Sequence, residues 1–272
     1  MLVQAANHFI RVFLEPACCA CDAPLTRPLA GPVCDACWTS ISRLTPPWCD
    51  FCGDAIPKSP SSPNSPASPE GQESPTSLIR SSGYICARCM NTRPVLSLAR
   101  SAGRYDGTLR RIIHAFKYEG RRALAVPLAR LLRDTCGDIL ADADAVVPVP
   151  LHPLRALRRG FNQADDLAQH LGLPVLRALR RVGRGPPQAS LPASRRRANV
   201  QHAFVLSRRG RRVLARARYS SPSPPRPLTL VLIDDVMTTG ETMEACGKVL
   251  AEGGVSCVRG LTTARAVVGW RA

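Results

Sequence analysis

The pattern of apolar positions changes near residue 105, where a cysteine- and proline-rich first third is followed by alternating helix and strand signals. Apolar residues recur at helical spacing in two successive segments, namely Leu109, Ile112, Ile113 and Phe116, then Leu124, Leu128, Leu131 and Leu132. Continuous apolar runs follow at 144–150, 228–233 and 255–263, with helical patterns at 161–171 and 241–251. Such runs are typical of buried strands, and their alternation with helices predicts an α/β domain with a parallel sheet over residues 100–272.

Three further segments do not follow this pattern. Residues 1–16 carry apolar side chains at helical spacing up to Pro16, which predicts an N-terminal helix that packs on the neighbouring module. A membrane-surface role is disfavoured, because the one arginine of this segment would anchor it poorly to anionic lipid. Residues 57–82 are dominated by serine and proline and are expected to form a disordered insertion, and the basic, proline-rich residues 207–227 a mobile loop.

Residues 17–92 contain four Cys-x-x-Cys pairs, which are Cys18/Cys21, Cys34/Cys37, Cys49/Cys52 and Cys86/Cys89. One pair supplies two thiolates for a tetrahedral zinc ion, so four pairs predict a small double zinc-ribbon module with two zinc ions. The simplest pairing joins the first pair with the second and the third with the fourth, and an interleaved pairing stays open. A site closed by four cysteines leaves no coordination position for a substrate, so we expect both zinc ions to be structural.

Composition limits the compartment and the partners. The chain has 272 residues, 12 cysteines and a formal charge of +17. Nothing at the start of the chain resembles a secretion signal and no apolar run approaches the ~20 residues that span a bilayer, so we expect a reduced, cytoplasmic protein without a membrane span. The positive charge favours nucleic acid or phosphorylated metabolites as partners. Coding bias towards arginine is the alternative, since only three residues are lysine.

The most specific motif is the segment from Val231 to Thr242, in which an apolar run is followed by Asp234, Asp235 and a Thr-Thr-Gly turn before a helix. In open α/β sheets, ligands bind at the carboxyl ends of the strands. Backbone N–H groups at the start of a helix suit a phosphate, and two adjacent acids suit the hydroxyls of a ribose, with or without a divalent metal. The alternative interpretation is a plain strand followed by a helix that Thr239 caps.

This motif resembles the fingerprint of the type I phosphoribosyltransferases. The resemblance implies that the acids hold the ribose hydroxyls and the Thr-Thr-Gly turn the 5-phosphate of phosphoribosyl pyrophosphate (PRPP), with Mg²⁺ bound through the ligand. The implied PRPP-binding residues are Asp234, Asp235, Val236, Met237, Thr238, Thr239, Gly240, Glu241 and Thr242, with Val149, Pro150, Arg159 and Lys117 near the diphosphate. Lys117 is otherwise a solvated helix residue, and Arg159 with Gln163 otherwise braces the preceding loop.

The order of motifs along the whole chain resembles the ComF family of competence-associated proteins, in which a double zinc ribbon precedes a phosphoribosyltransferase-type domain. Val-Pro-Val-Pro-Leu-His at 147–152, Arg-Gly-Phe-Asn-Gln at 159–163 and the four cysteine pairs carry this resemblance, which covers nearly the entire chain. It implies a role in DNA uptake during natural transformation, with single-stranded DNA and a competence helicase as partners.

Two functions therefore stay open. The protein either binds PRPP and handles single-stranded DNA, or transfers phosphoribose from PRPP to an acceptor that no segment identifies. The candidate nucleic-acid contacts are Arg180, Arg181, Arg184, Arg195, Arg196 and Arg197, which form either a phosphate-binding surface or a solvated basic loop. Because only 5% of residues are aromatic, we expect electrostatic binding to outweigh base stacking.

Overall fold

The computed structural model describes residues 2–55, 83–182, 202–219 and 227–266. Its strands are β1 (Leu98–Arg104), β2 (Ala145–Pro148), β3 (Leu179–Arg181), β4 (Phe204–Leu206), β5 (Thr229–Met237) and β6 (Cys257–Arg265). Its α-helices are α1 (Leu2–Leu14), α2 (Asp35–Thr39), α3 (Ala87–Asn91), α4 (Gly107–Tyr118), α5 (Ala125–Leu140), α6 (Pro153–Arg159), α7 (Gln163–Ala168), α8 (Arg208–Tyr219) and α9 (Glu241–Glu252). Short 3₁₀ turns occupy Pro28–Ala30 and Arg122–Leu124.

Four parallel strands form the main sheet in the order β1-β6-β5-β2, and β3 and β4 form a separate antiparallel pair. Side chains of a strand alternate between the two faces of a sheet. In β5, Val231 and Ile233 therefore face the core that contains α4, α5 and α7, whereas Leu230 and Leu232 face the core that contains α9. Layers on both faces explain why the strand is apolar throughout, and they confirm the predicted α/β fold with a parallel sheet.

The outer edge of β1 is covered by the N-terminal region. The Leu44 N–H donates to Ala102 O at 3.1 Å, and the Arg104 N–H donates to Ser42 O at 2.9 Å. Further along the same edge, the Ala99 N–H donates to Phe51 O at 2.6 Å. These bonds occupy backbone groups that an open edge strand would expose, so the cysteine-rich region extends the sheet.

The structure corrects the prediction of a mobile loop over residues 207–227. Residues 208–219 form α8 instead, and Leu214 is its buried contact with the core. Gly210 allows the close approach, because a Cβ atom at this position would lie 2.3 Å from the Ala178 carbonyl oxygen. Residues 220–226 of the predicted loop lie outside the described residues, as does the predicted insertion at 57–82.

Two element boundaries also differ from the sequence patterns. β5 continues to Met237 beyond the predicted end at Ile233, and α7 covers only Gln163–Ala168 of the predicted helix at 161–171. Helix α1 forms as predicted and contacts the Pro28–Ala30 turn of the neighbouring module, but its apolar residues Phe9, Val12, Phe13 and Leu14 are exposed. The Leu29 N–H donates to Asn7 Oδ1 and attaches α1 to the following turn. Among the described helices, none is long and apolar enough to cross a bilayer.

Candidate ligand pocket and metal sites

The candidate pocket lies where β5 ends and α9 begins. Asp234 and Asp235 lie near the end of β5, which finishes at Met237. The chain then passes through Thr238, Thr239 and Gly240, which we call the phosphate loop. Gly240 has a φ of 81°, a left-handed conformation that a side chain would strain. Gly240 is also the N-cap of α9, so the alternative in which Thr239 caps the helix is wrong.

The two acids have different partners, because successive residues of a strand point to opposite faces. Asp235 Oδ1 lies 2.7 Å from Lys117 Nζ, and both side chains are largely buried. Asp234 Oδ1 accepts a 2.8 Å hydrogen bond from the Asp235 N–H. Burial and then the neighbouring Asp235 raise the pKa of Asp234 to about 7, against the lowering effects of Lys117 and Arg159. The strand end therefore holds one paired carboxylate and one carboxyl group that titrates near neutral pH.

The predicted cation Lys117 reaches the pocket from the last turn of α4, where its ammonium group also lies 6.0 Å from the Tyr105 ring centroid. The solvated alternative for Lys117 is therefore wrong. Arg159 lies close enough to Asp234 to lower its pKa, and its guanidinium stacks 4.7 Å from the Tyr118 ring centroid. Both cations thus lie near the acids.

The Arg-Gly-Phe-Asn-Gln motif braces the loop that follows β2. Asn162 caps α7 by accepting from the Ala164 N–H, and its Nδ2 donates to Val149 O at 3.0 Å. The Arg159 guanidinium donates to Gln163 Oε1 at 2.8 Å. The Val149 N–H in turn donates to Ile233 O. This network fixes the Val149-Pro150 backbone beside the strand that carries the acids.

The remaining candidate residues lie in the cores, at the start of α9, on β3 or outside the described residues. Val236 and Met237 are packed in the two cores, Met237 being 4% exposed, so they offer a ligand backbone groups only. Glu241 and Thr242 form the start of α9. Arg180 is exposed on β3, and Arg181 stacks 5.3 Å from the Phe204 ring centroid. Burial and then the nearby Arg155 lower the pKa of Arg181. Arg184, Arg195, Arg196 and Arg197 lie outside the described residues.

The eight predicted ligand cysteines form two clusters. The first cluster is Cys18, Cys21, Cys34 and Cys37, and the second is Cys49, Cys52, Cys86 and Cys89. In each, the sulfur atoms lie within 4.8 Å of one another, and the Cys21–Cys34 and Cys52–Cys86 sulfur pairs are 3.7 Å apart. A tetrahedron with Zn–S bonds of about 2.3 Å has edges of roughly 3.8 Å. Both clusters could therefore hold zinc, and the simplest pairing is the one that the structure contains.

The two clusters repeat the same local design. The Cys34 N–H donates to Cys18 Sγ and the Cys86 N–H to Cys49 Sγ, both at 3.3 Å. Burial raises the pKa of the Cys18 and Cys49 thiols, but backbone N–H groups outweigh it and lower both values to about 7. Donors aimed at sulfur stabilise a thiolate, the form that binds metal.

Comparisons with known proteins identify the family of this chain. Residues 128–271 match the family described as "Phosphoribosyl transferase domain". Competence protein F of Haemophilus influenzae is 34% identical over 66% of this chain and 78% of its own length. The chain belongs to the ComF family. Another relative of this ComF-family protein is DNA utilization protein YhgH of Escherichia coli K12, 32% identical over 64% of the chain and 74% of YhgH. Competence protein ComFC of Bacillus subtilis is 23% identical over 82% of this chain and 79% of its own length.

Sequence reasoning missed the residues that connect the second cluster to the pocket. The Arg88 guanidinium donates to the Thr239 carbonyl oxygen of the phosphate loop. Arg265, which is 2% exposed, donates from Nε to Asp54 Oδ1 at 2.9 Å and from Nη1 to Cys52 O at 2.7 Å. Arg88 stands between two ligand cysteines, and this position was the available signal. Arg265 has no comparable signal, because its partners lie more than 200 residues away in the chain.

Proposed function

We propose that this ComF-family protein binds PRPP at the carboxyl end of β5 and acts in DNA uptake. The observation that carries the proposal is the pairing of Asp235 with Lys117 beside a partly buried Asp234, directly before a phosphate loop that ends in a left-handed Gly240. Residues 234–240 thus offer carboxylate acceptors for ribose hydroxyls and backbone donors for a phosphate in one short segment. The names of Competence protein F and DNA utilization protein YhgH support the assignment to DNA uptake.

The proposed ligand is held in three parts. Asp234 and Asp235 accept hydrogen bonds from the ribose hydroxyls, and the phosphate loop donates backbone N–H and threonine O–H groups to the 5-phosphate. The diphosphate lies towards Lys117 and Arg159. Carboxylate and diphosphate oxygens are the hard donors that Mg²⁺ prefers, so the donor set fits a magnesium ion that enters with PRPP.

Calorimetry of a double variant tests the pocket. Replacing Asp234→Asn together with Asp235→Asn removes both ionisable acceptors, so we expect the affinity for PRPP with Mg²⁺ to fall by about 100-fold or more. The zinc content should stay at about two per chain, because neither acid contacts a cysteine cluster. Asp134→Asn on the exposed face of α5 is the control for a change of charge alone. Unchanged affinity in the double variant would place the ligand elsewhere.

Single-stranded DNA is the proposed macromolecular partner. Exposed arginines support it, because α8 presents Arg208, Arg209, Arg211, Arg212 and Arg216 to solvent. Neutralising phosphates with arginine releases counterions, so affinity should fall steeply as salt rises. Fluorescence anisotropy with a labelled oligonucleotide between about 50 and 200 mM salt measures this slope. A flat response, or no binding at low salt, would refute electrostatic binding.

Phosphoribosyl transfer is the second candidate, and the match of residues 128–271 to the transferase domain family favours it. In such a reaction the protein would mainly position PRPP and stabilise the charge of the departing pyrophosphate. An acceptor screen with labelled PRPP, run with and without single-stranded DNA, distinguishes the two candidates. Acceptor-dependent release of pyrophosphate supports transfer, whereas binding without release supports the proposed DNA-handling role.

A further inference from the structure

The second cysteine cluster contacts the phosphate loop through Arg88. This residue lies between the ligands Cys86 and Cys89, and its guanidinium donates to the Thr239 carbonyl oxygen. Arg88 therefore joins the second cluster to the backbone of the loop proposed to bind the 5-phosphate.

Two further contacts fix the segments on either side of the phosphate loop. The Val95 N–H donates to Glu244 Oε2 at 2.8 Å and holds the first turns of α9. On the other side, Arg265 pairs in register with Met237, the residue before the loop, while its side chain contacts Cys52 and Asp54. The strand end before the loop and the helix after it are thus both held by contacts of their own, and Arg88 contacts the loop between them.

The peptide bond between Thr239 and Gly240 explains what Arg88 does. In a planar trans peptide, the C=O and the following N–H point in opposite directions. With the Thr239 carbonyl directed at Arg88, the Gly240 N–H is directed to the opposite side of the loop, where the proposed 5-phosphate lies. Fixing the carbonyl therefore orients a phosphate donor before the ligand arrives.

From this geometry we propose that Arg88 is a positioning residue that orients the phosphate loop for the 5-phosphate, and that zinc in the second cluster keeps Arg88 in place. The inference rests on the proposed PRPP pocket. Cys86 and Cys89 flank Arg88 in and directly before α3, so a zinc ion bound to both would hold the backbone that carries Arg88. Zinc loss would therefore loosen this backbone and with it the bond from Arg88 to Thr239.

The matched variants are Arg88→Ala, Arg88→Lys and Arg27→Ala. Arg27 pairs with Asp35 beside the first cluster, so its replacement removes the same type of side chain away from the pocket. Calorimetry with ribose 5-phosphate and, separately, with inorganic pyrophosphate distinguishes the two ends of the ligand. For Arg88→Ala we expect about tenfold weaker binding of ribose 5-phosphate, the loss of one charge-assisted hydrogen bond, with less than about twofold change for pyrophosphate.

A ligand-independent measurement separates this inference from the proposed function. NMR relaxation of the Thr239 and Gly240 amides in the free protein should show larger motion in Arg88→Ala and after zinc removal, partial recovery in Arg88→Lys, and no change in Arg27→Ala. Unchanged loop motion in Arg88→Ala, or equal weakening of both ligands, would overturn the positioning role. If the unaltered protein binds neither ligand, the proposed pocket fails, while the relaxation data still decide whether Arg88 orders the loop.

Discussion

The two cysteine clusters have the same local design but stabilise different parts of the molecule. The first cluster is part of the main core, where Cys18, Cys37 and the neighbouring Ile41 pack with residues of α4. Its following segment also contacts α4, because the Ser40 and Thr108 hydroxyls lie 2.9 Å apart. The second cluster forms a small core of its own with Phe51. One metal site thus belongs to the hydrophobic interior of the domain, and the other is attached to its surface.

Arginines replace apolar packing around the second cluster. Arg265 donates to the Cys52 carbonyl oxygen, and Arg88 lies between Cys86 and Cys89. The buried Arg100 donates to Asp50 O at 3.1 Å and stacks 5.0 Å from the Trp48 ring centroid. Cationic side chains suit a zinc–thiolate centre, whose net charge is about −2. The same motif is thus part of the main core in one position, and in the other it contacts the loop that we propose binds the 5-phosphate.

Removing one ligand from each cluster should give the largest contrast. Both Cys21→Ser and Cys86→Ser should reduce zinc from about two to about one per chain. We expect Cys21→Ser to lower the free energy of unfolding of the whole domain by on the order of 5 kcal/mol, because the first cluster shares the main core. For Cys86→Ser we expect a folded sheet with at least about tenfold weaker binding of ribose 5-phosphate.

Denaturant unfolding followed by far-UV circular dichroism measures the first effect, and calorimetry at a temperature where both variants are folded measures the second. Metal content by elemental analysis confirms that each variant has lost one ion. The contrast between the clusters would be broken if both variants lost stability and affinity in equal measure.

A smaller contrast concerns the residue that follows the first Cys-x-x-Cys pair of each cluster, which has a left-handed backbone conformation in both. Asp22 has a φ of 59° in the first cluster and Gly53 a φ of 67° in the second. Asp22 is exposed, but a Cβ atom at Gly53 would lie 2.5 Å from the Ala99 carbonyl oxygen of β1. We therefore expect Gly53→Ala to destabilise the protein by about 4 kcal/mol, from backbone strain and the displaced strand, and Asp22→Ala by less than about 1 kcal/mol. Thermal melts of the two zinc-loaded variants measure the difference, and similar melting temperatures would show that the second module docks loosely on β1.

Local sequence patterns predicted the parts of this molecule that depend on neighbouring residues. Spacing identified the eight ligand cysteines, and the apolar run before Asp234 identified the strand that carries the acids. The strand predicted from this run ended too early, at Ile233, because pairing of β5 with β6 continues past the two acids to Met237. A strand end set by pairing is not visible in the hydrophobicity of one strand.

Tertiary contacts account for what the sequence did not predict. Arginine-rich composition concealed α8, whose place in the fold depends on one buried leucine and on the close approach of Gly210 to Ala178. The bond from Arg88 to Thr239 joins residues that are 151 positions apart. Apolar periodicity correctly predicted that α1 is helical but not that its apolar face is exposed. Periodicity identifies the face of a helix that is apolar, whereas the partner of that face is set by the rest of the chain.

The smallest effect concerns the charge of Asp234 near the end of β5. Because the folded-state pKa of Asp234 is raised to about 7, the folded protein binds this proton more tightly than the unfolded chain does, whose aspartate pKa is about 3.9. The contribution of Asp234 to stability therefore decreases as the pH rises from about 4 to about 7. Asparagine keeps an Oδ1 acceptor for the Asp235 N–H without a charge.

We expect Asp234→Asn to stabilise the ligand-free protein by on the order of 2 kcal/mol at pH 8, and by about half as much at pH 5.5. Thermal unfolding at the two pH values measures this gain, with Asp134→Asn as a control whose effect should not change with pH. A variant that is less stable than the parent at pH 8 would show that Asp234 is favourably ionised there. In that case burial and the neighbouring Asp235 would impose no net cost on the ionised side chain of Asp234.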